Sequence, residues 1–129
     1  MKQKVKYWMS MASLAALVSL SAGTALAHGG AKAMHGGIVQ VANDLGFELV
    51  VDADGATIYL MDHGKPLASK GISGKLTVLQ GAQKAEAEIK EAGDNKLRAT
   101  GVKLGKGDKL VAVINTAPGK STTVRFTIR

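Results

Sequence analysis

A chain of 129 residues with 46% hydrophobic and 21% charged side chains, 16 glycines and a formal net charge of +7 has the composition of one globular domain, too apolar for a disordered tail. The absence of cysteine excludes a disulfide framework, thiolate metal centres, cysteine nucleophiles and covalently attached c-type haem. Any chemistry is left to His, Met, carboxylates and hydroxyls.

Residues 1–27 open with Lys2, Lys4 and Lys6, continue through an apolar run from Met11 to Leu20 and close on Ala25-Leu26-Ala27. These are the basic region, apolar region and small-residue cleavage site of a secretory signal peptide. The apolar run, interrupted by Ser13 and Ser19 and followed by Gly23, is shorter than the roughly 20 residues a spanning helix needs. The expectation is therefore a cleavable signal helix, release after Ala27 into the periplasm, and no stable membrane insertion after processing. Three lysines leave with the signal, so the mature chain has 102 residues and a net charge of +4. That length can bury one modest core. Its basic residues are scattered and no aromatic platform lies among them, so no nucleic-acid partner is expected.

The leader, 28–37, contains the tripeptide His-Gly-Gly at 28–30 and again at 35–37. Glycine carries a high ordering cost, which predicts a flexible Gly/His leader unless a ligand or neighbour fixes it. From 38 to 129 short apolar runs alternate with turn residues, the spacing of an all-β sandwich or barrel. Strands are predicted at Ile38–Ala42, Phe47–Val51 and Thr57–Met61, with Asn43-Asp44-Leu45-Gly46 and the Asp54-Gly55 pair as turns. A long connection, Asp62 to Lys75, follows. Further strands are predicted at Leu76–Gln80, Leu97–Thr100, Lys109–Asn115 and Thr122–Arg129. In the last of these Val124, Phe126 and Ile128 face inward against outward Thr and Arg. Residues 82–92 fit either period. A helix would align Ala82, Ala85, Ile89 and Ala92, whereas a strand would alternate Ala85, Ala87 and Ile89 with Lys and Glu. Bounding Gly81 and Gly93 and the all-β context favour the strand against local helix propensity. About seven or eight short antiparallel strands in a domain of this size predict an Ig-like β-sandwich, without the cysteine pair or buried Trp of true immunoglobulin domains.

The stretches His35-Gly36-Gly37-Ile38-Val39, Phe47-Glu48-Leu49-Val50-Val51 and Ile58-Tyr59-Leu60-Met61-Asp62-His63-Gly64-Lys65-Pro66 resemble the small N-terminal β-domain of periplasmic adaptor subunits of heavy-metal (RND-type) efflux systems. Gly71 and Gly74 before Leu76–Leu79, the Gly93-Asp94-Asn95 turn and the Gly107-Asp108 turn extend the similarity over nearly all of the mature chain. No counterpart of the adaptor's coiled-coil hairpin, lipoyl-like domain or β-barrel is expected here. The resemblance implies a free-standing secreted version of that domain, associated with transition-metal efflux or resistance.

All three histidines and both methionines of the mature chain fall between 28 and 63: His28, Met34, His35, Met61 and His63. Imidazole suits Cu, Zn and Ni, whereas thioether selects Cu(I) and Ag(I). This cysteine-free set therefore points to copper-group ions first, zinc or nickel next. Cleavage after Ala27 would make the His28 amine and imidazole a joint chelator. Each residue also has a plain structural role: His28 in a solvated leader, Met34 on a core edge, Met61 as core filler, and His63 in the turn Asp62–Pro66. A simple meander puts His35 and His63 at opposite ends of the sheet, about 17 Å apart, with His28 able to reach either through a leader of about 24 Å.

Enzyme chemistry is not expected. Ser69, Ser73 and Ser121 have no His nearby in sequence, and Glu86 with Glu88 would share an exposed strand face. No organic cofactor is indicated. The expected function is a periplasmic transition-metal binding or buffering protein; the alternative is a module that binds no metal and docks on an efflux adaptor or pump.

Overall fold

Alternating side chains turn these segments into strands with one apolar face. The computed structural model describes residues 32–129, among which nine strands and no helix are found. The expected signal helix and the start of the leader, His28 included, lie outside the described residues. The strands are β1 Ile38–Ala42, β2 Leu45–Asp52, β3 Gly55–Asp62, β4 Lys65–Pro66, β5 Ser73–Gln80, β6 Gln83–Glu91, β7 Lys96–Thr100, β8 Lys109–Ala117 and β9 Lys120–Thr127.

Turn chemistry sets the hairpin registers. Asn43 and Asp44 (φ 50° and 64°) make a two-residue connection between β1 and β2, and His63 with Gly64 (φ 51° and 79°) makes the one between β3 and β4. Both pairs hold positive φ at both central positions, the backbone that matches strand twist in tight hairpins.

Every strand pair is antiparallel, in the order β1-β2-β3-β7-β6-β5-β8-β9, with β4 added beside β3. The all-β, antiparallel expectation is met. In place of two facing sheets, however, one ladder runs through all the long strands and curls into a nearly closed barrel. Two non-local pairings account for this. β3 joins β7 from Gly55↔Thr100 to Tyr59↔Lys96, and β5 joins β8 from Ser73↔Asn115 to Leu79↔Lys109. At the remaining seam β1 lies beside β9 without a ladder, and Asn43 Nδ2 donates to Thr122 Oγ1 at 3.0 Å.

The barrel interior is one apolar cluster. Phe47, Leu49, Ile58, Leu60, Leu76, Val78, Ile89, Leu97, Leu110 and Ile114 are at most 1% exposed. Val124, Phe126 and Ile128 join them as the alternation predicted. Each fully buried side chain of this size contributes about 1.5–3 kcal/mol, and no disulfide assists.

Residues 83–91 form a strand despite their helical propensity. Ile89 is buried, Ala85 and Ala87 pack against the same interior, and Lys75 on β5 reaches Glu86 at 2.8 Å across the pair. The long connection after β3 contains the short β4, which the sequence did not announce. It is anchored by Ser69, 1% exposed, whose hydroxyl donates to the Gly93 and Asp94 carbonyls at 3.3 and 3.1 Å.

Candidate functional site

Strand parity places Glu48 on the outside of the barrel, because its neighbours Phe47 and Leu49 point in. An outward carboxylate is ordinarily solvated, yet Glu48 has no exposed surface. The leader covers it. The backbone N–H of Met34 donates to Oε1 at 2.9 Å, those of His35 and Gly37 donate to Oε2 at 2.8 Å each, and His35 Nδ1 lies 3.0 Å from Oε1. Successive amides converging on one anion form a nest. Burial by itself pushes the Glu48 carboxyl up, but the hydrogen bonds from Gly37, Met34 and His35 together outweigh it and hold the group below its ordinary value.

The second His-Gly-Gly supplies what this clasp needs. Gly36 sits at φ +70°, a left-handed conformation that reverses the chain, in open space. Gly37 crosses β2 so closely that a Cβ there would fall 2.4 Å from the Leu49 carbonyl oxygen and 2.9 Å from Glu48 Cγ. The part of the leader expected to be flexible unless a neighbour fixes it is thus fixed, over 34–37, by a buried carboxylate of the chain itself.

His35 is oriented on two sides. Its ring stacks on Tyr59, which faces Glu48 across β2 and β3, with centroids 3.6 Å apart and planes 7° from parallel. A carboxylate can only accept, so Nδ1 carries the proton donated to Glu48, and in the neutral ring the lone pair then sits on Nε2. The side chain keeps 42% of its surface exposed.

Met34, 68% exposed, flanks His35 in the chain. Met61 is two positions beyond Tyr59 on β3 and therefore on the same outer face, excluded from the core cluster but only 7% exposed, between Gly46 of β2 and Pro66 of β4. The structure brings Met34, His35 and Met61 to one outer wall of the barrel.

His63 stands apart. It occupies the β3–β4 turn with its side chain 84% exposed and Nδ1 2.5 Å from Asp62 Oδ1. Four residues of strand, about 13 Å, separate it from Tyr59 and the His35 ring stacked there. The meander argument placed His35 at the far end of the sheet. Because the leader doubles back at Gly36, His35 instead lies at mid-strand, still outside one coordination sphere with His63. His28 lies outside the described residues. Among the described residues no three His, Asp or Glu side chains converge.

Sequence reasoning missed Glu48 and Tyr59 as members of the site. The legible signal was an acid wedged between Phe47 and Leu49 in an otherwise apolar strand, with an aromatic at the matching parity of the next. Comparisons with protein-family models, with curated proteins and with solved structures find no match.

Proposed function

We propose that the chain is a secreted, periplasmic module that binds or buffers a transition metal, copper-group ions before zinc or nickel, in association with a heavy-metal efflux system. His35 Nε2 is the anchoring donor, and the thioethers of Met61 and Met34 are its soft partners. The efflux association rests on the sequence resemblance alone.

The observation that carries the metal reading is the His35–Glu48 contact at 3.0 Å. A metal-ligating imidazole characteristically gives its other ring N–H to a carboxylate, which fixes the tautomer and raises the basicity of the ligating nitrogen. Here the carboxylate is buried and held by three amides, so the imidazole is oriented before any ion arrives. Two thioethers on the same wall as one imidazole would favour Cu(I) or Ag(I) over harder divalent ions. His63 with Asp62 supplies a weaker, solvated second position at the barrel end.

The test is titration of Ag(I), Cu(I) and Zn(II) into protein whose amino terminus has been established by intact mass, beside His35→Ala, His63→Ala and Met61→Leu. The His35 variant, which loses the ligand itself, is expected to bind Ag(I) more weakly by at least the roughly 10–100-fold that removing a ligand's outer carboxylate partner costs, with a smaller loss for Met61→Leu. Equal binding by the wild type and the His35 variant refutes the assignment. Loss in the His63 variant alone moves the site to the turn.

A further inference from the structure

The charge of the chain is unevenly placed. Residues 101–129 carry six basic side chains and one acid, Asp108, for a net +5, while residues 32–100 carry eight basic and nine acidic side chains, a net −1. The basic third of the sequence forms β8, β9 and the segment leading into them.

Register converts this imbalance into a surface. On the outer face of β5, β8 and β9, Lys75 lies opposite Val113, Val111 opposite Arg125, and Leu79 opposite Lys109, with Thr77, Thr123 and Thr127 among them and Ser73, Asn115 and Ser121 at one end. Their inward neighbours Leu76, Val78, Leu110, Ala112, Val124 and Phe126 fill the core, which fixes the outward parity of this set. No acid stands on these three strands' outer face, although Glu88 and Glu86 of neighbouring β6 border it opposite Lys75 and Thr77. Lys75 is tied to Glu86 of β6 at 2.8 Å, and among the described residues Lys109 and Arg125 make no ion pair. Between the cations Leu79 and Val113 expose 40% and 39% of their surface.

From this we propose that the β5–β8–β9 face is a docking surface for a partner protein that presents carboxylates alternating with apolar side chains. A curved wall that sets cations beside exposed valines and Leu79 matches an extended acidic segment, with charge steering the encounter and the apolar side chains supplying dry contact. A lipid surface fits less well. Charge-driven membrane binding draws on a cluster of about four to eight cations or on aromatic and long apolar side chains that insert. This face offers two unpaired cations and no aromatic side chain. The proposal is independent of the metal reading, since none of its residues belongs to the wall that carries His35.

The experiment uses a soluble peptide of alternating Glu and Val as probe, observed by amide chemical shifts of the mature protein at low and raised salt. Shifts are expected along Lys109–Val113 and Thr123–Thr127, weakening as salt rises. Lys109→Glu with Arg125→Glu is expected to weaken peptide binding by about tenfold or more, while Lys65→Glu with Lys70→Glu, the same charge change elsewhere, is expected to leave it within about twofold. Equal losses in the two double variants, or shifts spread over lysines all round the molecule, overturn the proposal. Binding to phosphatidylglycerol-containing vesicles without binding to the peptide also overturns it, in favour of a lipid surface.

Discussion

Replacing Glu48 by Gln is the sharpest test of the clasp. The substitution keeps shape and volume but removes the charge, and it turns one acceptor oxygen into a donor facing N–H groups that already donate. The remaining oxygen has two lone pairs for the four donors that now converge, the Met34, His35 and Gly37 amides and His35 Nδ1. Loss of charge assistance together with unpaired donors under a covered site costs about 2–4 kcal/mol. Out of a total of about 5–15 kcal/mol for a domain, that leaves the protein folded at neutral pH. Urea titration followed by far-UV circular dichroism measures the loss. The pH dependence gives an independent reading, because the folded-state value of Glu48 lies below its ordinary one. Above the ordinary carboxylate range Glu48 is ionised in both states and the clasp contributes in full. As pH falls through that range the unfolded chain protonates first, and the contribution is gone once pH has passed below the lowered folded value. Asp52, Glu86 and Asp108 are also lowered and add their own slope, but they add it equally to both proteins. The difference in stability between wild type and Glu48→Gln is therefore expected to be largest near neutrality and to shrink in acid. Amide exchange at Met34, His35 and Gly37 should quicken in the variant. A difference under about 0.5 kcal/mol at neutral pH, with unchanged exchange at those amides, would refute the reasoning.

Two further perturbations address other parts of the fold. Gly36→Ala meets open space and is expected to cost about 1–2 kcal/mol from its positive φ alone. Gly37→Ala drives a Cβ into the Leu49 carbonyl and should both cost more in urea titration and abolish the near-ultraviolet signal of Tyr59 stacked on His35. Ile89→Ala should destabilise by about 2–5 kcal/mol, as expected for an interior strand residue; a value near zero would mean that β6 does not hold its place in the barrel.

Local periodicity carried most of the strand assignment. Ile38–Ala42 coincides with β1, and the inward set Val124, Phe126 and Ile128 is where alternation puts it. Residues 83–91 could be read only by weighing the bounding glycines against helix propensity, and the inward Ala85, Ala87 and Ile89 show why the strand wins. The closing pairs β3–β7 and β5–β8 were not legible. They join segments roughly 40 positions apart, and nothing in either member names the other. The candidate site divides in the same way. Met34, His35 and Met61 were visible as donor types, but strand parity puts Glu48 on the outer face, where a carboxylate is ordinarily solvated, and only the reversal at Gly36 turns that outward acid into a buried anchor.

The seam between β1 and β9 bears on how the domain assembles. Because the first and last long strands are the ones that meet, their contact links positions at the extremes of the domain, and the Asn43–Thr122 hydrogen bond spans 79 residues of chain. Hairpins such as β1–β2 and β8–β9 can form as soon as their own residues are available, whereas the cylinder cannot shut until both ends have been made. Contacts of such high sequence separation slow folding and leave strand edges open in the interval. The same neighbourhood brings the two ends of the domain side by side. A permuted chain that joins residue 129 to residue 38 and opens at the exposed Gly81–Ala82 turn would turn this slowest contact into a local hairpin.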